Sequence, residues 1–169
     1  MTNKELFAKH IGLGTFIETG TCFGRSVQQA IELGFKDIRS VEGSVERFRE
    51  CQSLFRRERH VRLWCGESIE HLPMMMQAAQ TPALFFLDAH PSGKESYGQD
   101  YETNPAHEQS AILRAELELI HKRNVKGDVI LIDDLSEDIK AFARNKFPDA
   151  EINIYDTEEG PQKVMEIQT

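Results

Sequence analysis

The chain has 169 residues, enough for one domain, spanning 1–169, with a substantial apolar core. Its formal net charge of −8 argues against a general nucleic-acid or membrane-surface binder, since a polyanionic partner would be repelled unless a local basic patch outweighed the total. Three cysteines, Cys22, Cys51 and Cys65, lack CxxC spacing and read as free thiols, against both a disulfide framework and a structural zinc site. The segment MTNKELFAKHIGLG lacks the basic-then-apolar pattern of a secretory signal, so a cytoplasmic location is the default expectation.

In chain order, strand and helix signals alternate almost throughout, and the chain is read as beginning almost directly at its first strand. Thr15 to Thr19 is that strand, and Arg25 to Leu33 the helix after a glycine turn. Asp37 to Glu42 is the second strand, followed by a helix from Val45 to about Arg57 with Ser44 as its N-cap. The basic run FRRERHVR reads as a solvated helix end leading into the third strand, His60 to Cys65. A helix from Ile69 to Ala79 carries Met74, Met75 and Met76, of which one or two are expected in the core. Pro82 to Asp88 is the most apolar strand and is expected at the sheet's centre. A long polar loop leads to a helix from about His107 to Lys122, a fifth strand from Asp128 to Asp133 and a helix from Glu137 to Lys146. The end breaks the rhythm: EINIYD and KVMEIQ, joined by TEEGPQ, predict an antiparallel hairpin.

Alternation of this kind predicts a parallel sheet covered on both faces. Five strand–helix units followed by an antiparallel pair resemble the class I S-adenosylmethionine-dependent methyltransferases. The resemblance implies a three-layer α/β/α doubly wound sheet of seven strands in the order 3-2-1-4-5-7-6.

Ligands of open α/β sheets bind beyond the carboxyl ends of the strands. Those ends read ETGTCFG, VEGS, CGES, LDAH and IDDL, each finishing in or beside an acid. One such acid is commonly a turn or N-cap residue, but five in succession point to a site. Gly20 and Gly24 lack the full GxGxxG fingerprint, with Cys22 at the middle position. They are expected to let the backbone approach a ligand closely. Glu42, roughly twenty residues on at the end of the second strand, is placed to accept hydrogen bonds from both hydroxyls of an adenosine ribose.

ETGTCFGRS resembles the first motif of these methyltransferases, VEGS their ribose-binding acid and CGES their adenine-side segment. The resemblance implies that Glu18, Gly20, Thr21, Gly24 and Ser26 line the methionine half of S-adenosylmethionine. It places Glu42 and Gly43 at the ribose, Glu67 and Ser68 near the adenine, and Asp88 beside the cofactor. A sulfonium and an ammonium favour a negative site, and Glu18 is expected to supply that field. The pyrophosphate of a nicotinamide cofactor would lie less favourably beside that carboxylate.

Asp88, Asp133 and Asp134 form a second constellation, at the ends of strands expected to be neighbours. Unpaired, they would repel one another; Mg²⁺ or another divalent cation would remove that conflict. The pattern resembles the metal-dependent O-methyltransferases of the catechol type and cephalosporin-hydroxylase-like relatives, with Asp-Asp here in place of the commoner Asp-Asn. Alternatively Asp133 and Asp134 cap the next helix and Asp88 bonds loop amides. His90 reads as a metal ligand, a general base acting with Asp88, or a turn residue held by Pro91. The loop from Pro91 to Pro105 has the length of a lid, with Tyr97 and Tyr101 as candidate substrate contacts.

The implied activity is methyl transfer to an oxygen of a small molecule or saccharide. Without a longer helical region ahead of the first strand, the site is expected to be open, covered by a partner chain in a homo-oligomer, or matched to a large substrate. A metal-dependent hydroxylase-like enzyme and a non-catalytic cofactor-binding protein on the same fold are the rival readings.

Overall fold

A computed structural model describes residues 1–77, 79, 81–89, 105–133, 135–157 and 163–169. Its seven strands are β1 (Thr15–Thr19), β2 (Asp37–Glu42), β3 (Val61–Cys65), β4 (Leu84–Leu87), β5 (Val129–Ile132), β6 (Glu151–Asp156) and β7 (Lys163–Gln168). They form one sheet in the order β3-β2-β1-β4-β5-β7-β6. β1 to β5 pair in parallel, and β7 inserts antiparallel between β5 and β6. Sheet and order are those expected, including the reversed final hairpin. Among the described residues the α-helices are α1 (Asn3–Lys9), α2 (Arg25–Leu33), α3 (Val45–Leu54), α4 (Ser68–Gln77), α5 (Pro105–Arg123) and α6 (Glu137–Lys146), with a short 3-10 turn at Ile11–Leu13.

Side chains alternate across each strand, so the sheet carries two cores. Ile17, Phe85, Leu87, Ile130 and Ile132 face one layer, packed by Leu72 and Met75 of α4, Leu113 and Leu117 of α5 and Ile139 of α6. Phe16, Ile38, Leu84, Phe86 and Leu131 face the other, packed by Leu6 and Phe7 of α1, Val27 and Ala30 of α2 and Cys51 of α3. Burial on both faces makes the central strands read as unbroken apolar runs. Met75 and Met76 join the core and Met74 is exposed, as the helical spacing required. Ser44 caps α3 by accepting from Arg47 N–H at 3.4 Å, and Ser136 caps α6 by accepting from Ile139 N–H at 3.2 Å.

α1 corrects the expectation that the chain starts almost directly at the first strand. Thr2 Oγ1 accepts from Glu5 N–H at 3.2 Å while Glu5 Oε2 accepts from Thr2 N–H at 2.8 Å, a reciprocal capping box. Only Leu6 and Phe7 are buried, too few to show a helical period, but Phe7 sets its ring edge-on to Phe16 and Phe86 with centroids 5.0 Å away. His10 Nε2 then meets Glu166 Oε1 at 2.5 Å, and the Tyr155 hydroxyl donates to Glu166 Oε2 at 2.9 Å, tying the segment to β6 and β7.

At the amino-terminal edge of the sheet, Arg123 forms a buried ion pair with Asp128. Asp128 also accepts from Ala83 N–H at 2.9 Å, and Arg123 donates to the carbonyls of Ala79 at 2.6 Å and Thr81 at 2.8 Å. Removing one partner leaves a buried charge uncompensated. Arg123→Met is expected to cost about 3–5 kcal/mol in urea unfolding; a loss under about 1 kcal/mol would show the pair to be solvated.

Candidate functional site

β1 delivers the glycine segment to the carboxyl edge of the sheet. Gly20 and Thr21 donate their N–H groups to Val41 O at 2.9 and 3.2 Å, and Gly24 donates to Thr21 O at 2.7 Å. Cys22 takes a left-handed conformation, φ +48°, where glycine would be the usual choice. Its N–H donates to Glu42 Oε2 at 2.7 Å, and the Cys51 thiol donates to its carbonyl at 3.2 Å.

Both glycines also pack closely against protein. A Cβ on Gly20, at φ +87°, would stand 2.5 Å from the Asp88 carbonyl oxygen, and one on Gly24, at φ +75°, 2.6 Å from the Phe55 ring. Gly20 thus lets the end of β1 press against the end of β4, and Gly24 lets α2 start against α3 and Phe55.

Glu18 alternates with Thr19 at the end of β1, so the two side chains leave opposite faces of the sheet. Glu18 is fully buried, bonded by Ser26 of α2 and by Ser40 Oγ of β2 at 2.6 Å, and Ser40 in turn meets Thr21 Oγ1 at 2.6 Å. Burial pushes its pKa up to about 8, against the lowering effect of the two serine hydroxyls. The carboxyl is therefore largely neutral at pH 7 and props the loop from below. A neutral carboxyl supplies less of the negative field expected from Glu18 than an ionised one would.

A folded-state pKa raised this far means that the stability Glu18 contributes is full below its ordinary value of 4.5 and is lost as pH rises through about 8. Glu18→Gln lacks this loss. The stability of wild type relative to Glu18→Gln is expected to fall steadily between about pH 4.5 and 8 and to level off above. Chemical denaturation across that range checks it, and parallel curves would contradict it.

On the opposite face, Glu116 of α5 is fully buried beside the hydroxyls of Thr19 and Ser68. Neither carboxyl oxygen makes a hydrogen bond of good geometry with another described residue. Burial raises its pKa to about 7, with the two hydroxyls lowering it and the charge of Asp88 adding to the rise. Sequence reasoning passed over Glu116, yet a signal exists: it lies on the apolar stripe Leu113, Leu117, Ile120, where a carboxylate is out of place.

The remaining strand ends form a shoulder beside the loop. Glu42 is 8% exposed and accepts from Ser44 N–H at 2.8 Å as well as from Cys22. Gly43 follows it, and Gly66 N–H donates to Glu42 O at 2.9 Å, which holds the segment after β3 beside the end of β2. Glu67 is exposed there, while Ser68 is buried at the start of α4.

A cleft of about 300 Å³ opens over the loop, lined by Gly20, Thr21, Ser26, Asp88 and Asp133. These expected residues share one cavity, whereas Glu18 lies beneath it and Glu42, Gly43, Glu67 and Ser68 form its shoulder. Asn3 of α1 and Arg25 and Gln29 of α2 also line the cleft, a wall that sequence reasoning did not anticipate. A larger cavity of about 420 Å³ lies at the opposite edge of the sheet, around His121, Lys126 and Phe147, away from the strand ends. His90, Asp134, Tyr97 and Tyr101 lie outside the described residues. Asp88 and Asp133 do come together on the cleft, but among the described residues no three metal-ligating side chains form a cation site.

Strand order and reversed hairpin define the fold of the class I S-adenosylmethionine-dependent methyltransferases, and solved structures similar to this chain share its fold. Cofactor-bound Rv0187 from MTB superposes with a TM-score of 0.64 at 16% identity, covering 97% of this chain and 77% of that one. Precorrin-6y C5,15-methyltransferase from Geobacter metallireducens gives 0.62 at 12% identity, covering 98% and 88%. Human N-acetylserotonin methyltransferase in complex with SAM gives 0.62 at 12%, covering 99% of this chain and 51% of that one. No protein-family model and no curated protein sequence matches the chain. No described helix is long and apolar enough to cross a membrane.

Proposed function

We propose that this protein is an S-adenosylmethionine-dependent methyltransferase acting on an oxygen of a small molecule or saccharide. The observation that carries the reading is the convergence of the Gly20–Ser26 loop, Glu42 and Asp88 at one edge of a sheet with methyltransferase topology. The donor set fits such a cofactor. Glu42 offers a carboxylate at the end of β2 for a ribose diol. α2 begins at Gly24 without a side-chain cap, so its first N–H groups and dipole suit the carboxylate of the methionine portion. Asp88 suits the ammonium.

The bound cofactor supplies an electrophilic methyl carbon on a cationic sulfonium. Its methyl group would pass to the acceptor oxygen, with the carbon–sulfur electron pair left on sulfur and the acceptor's proton passed to a base. Asp88 and Asp133 line the cleft, where carboxylates favour binding of the cationic donor over its neutral product and so help product leave. His90, two residues beyond Asp88, is assigned from the sequence as the base. Positioning of the two reactants in one cleft supplies the remainder of the rate gain. The described residues do not by themselves build a metal site, and no step here runs through a metal.

Titration calorimetry with S-adenosylmethionine and S-adenosylhomocysteine, with and without Mg²⁺, tests the reading. One molecule of each is expected to bind per chain. Absence of heat with both ligands under both conditions would overturn it.

A further inference from the structure

We propose that Arg25, Gln29 and Asn3 form the acceptor-binding wall of the cleft and select a hydroxylated carboxylate, in which an acid group accompanies the hydroxyl to be methylated. This rests on the methyltransferase reading above.

Charge carries the first part. Arg25 is the first residue of α2, is exposed and lines the cleft, and its side chain makes neither an ion pair nor a hydrogen bond with any described residue. The chain has 28 acidic residues against 20 lysines and arginines, so a cation left unpaired at a cleft that also holds Asp88 and Asp133 is available to a ligand. An anionic group is repelled from the aspartate side and held on the arginine side, so the acceptor is oriented as well as bound. A guanidinium presents paired donors that match the two oxygens of a carboxylate. The cofactor's own carboxylate has the uncapped start of α2, which leaves the Arg25 side chain to the acceptor.

Unmet hydrogen bonding carries the second part. Gln29 stands one helical turn after Arg25 and therefore on the same face of α2. Its Oε1 is buried with no hydrogen-bond partner among the described residues, and a small turn of the side chain toward the cleft it lines would offer this costly unmet acceptor to a donor there. A ligand hydroxyl is such a donor. Asn3 enters the same cavity from the first turn of α1, where the Thr2–Glu5 capping box fixes the backbone that presents it. A cavity of about 300 Å³ suits a small molecule and not a macromolecular surface.

Two probe pairs test the inference on the full chain saturated with S-adenosylhomocysteine: 3,4-dihydroxybenzoate against catechol, and D-glucuronate against D-glucose. In at least one pair the carboxylate is expected to bind about tenfold or more tightly than its neutral partner. Arg25→Ala is expected to erase that preference and Arg25→Lys to restore part of it, each with S-adenosylhomocysteine affinity within about twofold of wild type. Arg25 is exposed, so these variants fold, and thermal melts verify it. Carboxylates binding no better than their partners in both pairs, undetectable binding included, would overturn the inference. So would a large loss of S-adenosylhomocysteine affinity in Arg25→Ala, which would make Arg25 a cofactor anchor. Failure of wild type to bind S-adenosylhomocysteine would instead remove the methyltransferase reading itself.

Discussion

Glu42→Ala is expected to weaken S-adenosylmethionine binding by about 10- to 100-fold, the loss of one or two hydrogen bonds to a carboxylate. Glu42 has a second task that adds to this loss. Its oxygens accept from the N–H groups of Cys22 and Ser44 at 2.7 and 2.8 Å, joining the glycine segment to the end of β2. Alanine frees both donors, and Cys22, already at φ +48°, loses the bond that holds it there. Glu42→Gln keeps one acceptor oxygen and is expected to fall between wild type and alanine. Calorimetry on the three proteins measures the series, and an affinity unchanged in Glu42→Ala would remove the ribose assignment.

The second large effect is expected at Gly20. A Cβ there would lie 2.5 Å from the carbonyl oxygen and 2.8 Å from the carbonyl carbon of Asp88, both backbone atoms that cannot swing aside. At φ +87° an L side chain is strained in any case. Gly20→Ala is expected to cost about 2–4 kcal/mol, from backbone strain and overpacking together. Because the atom struck belongs to Asp88, the substitution also displaces a cleft residue, so affinity for the cofactor falls with stability. Gly34→Ala is the control: its φ is +90°, but a Cβ there meets nothing within 4 Å. A Gly20→Ala loss no greater than that of Gly34→Ala would mean that β1 and β4 do not converge as closely as described.

Much of this architecture is legible in the residues alone. LFFL and VILI are continuous apolar runs because both faces of β4 and β5 are buried, and the final hairpin stands out because Gly160 and Pro161 punctuate it. α1 escaped notice because a helix docked by Leu6 and Phe7 alone leaves no period to read, though TNKE carried its capping signature. α3 runs to Leu54, short of the expected Arg57, with Phe55 turning inward to pack against Gly24.

The candidate site was legible in outline and less so in roles. Acids at strand ends converge on one edge, because chain order and sheet topology bring those ends together. What each acid does depends on which face it leaves. Glu18 and Thr19 are neighbours in sequence, yet one reaches Ser26 and Ser40 while the other reaches Glu116 across the sheet. A glycine likewise shows that something comes close without showing what, and at Gly20 it is Asp88. Asn3, Arg25 and Gln29 belong to no strand end, and only the packing of α1 and α2 against the sheet assembles them.

A crystal structure with S-adenosylhomocysteine tests the central claim most directly. The ligand is expected at the carboxyl edge of the sheet, with its ribose hydroxyls on Glu42 and its amino-acid end over Gly20 beside Asp88. Density for the ligand elsewhere, or a ribose out of reach of Glu42 with the cleft above Gly20 empty, would contradict the account.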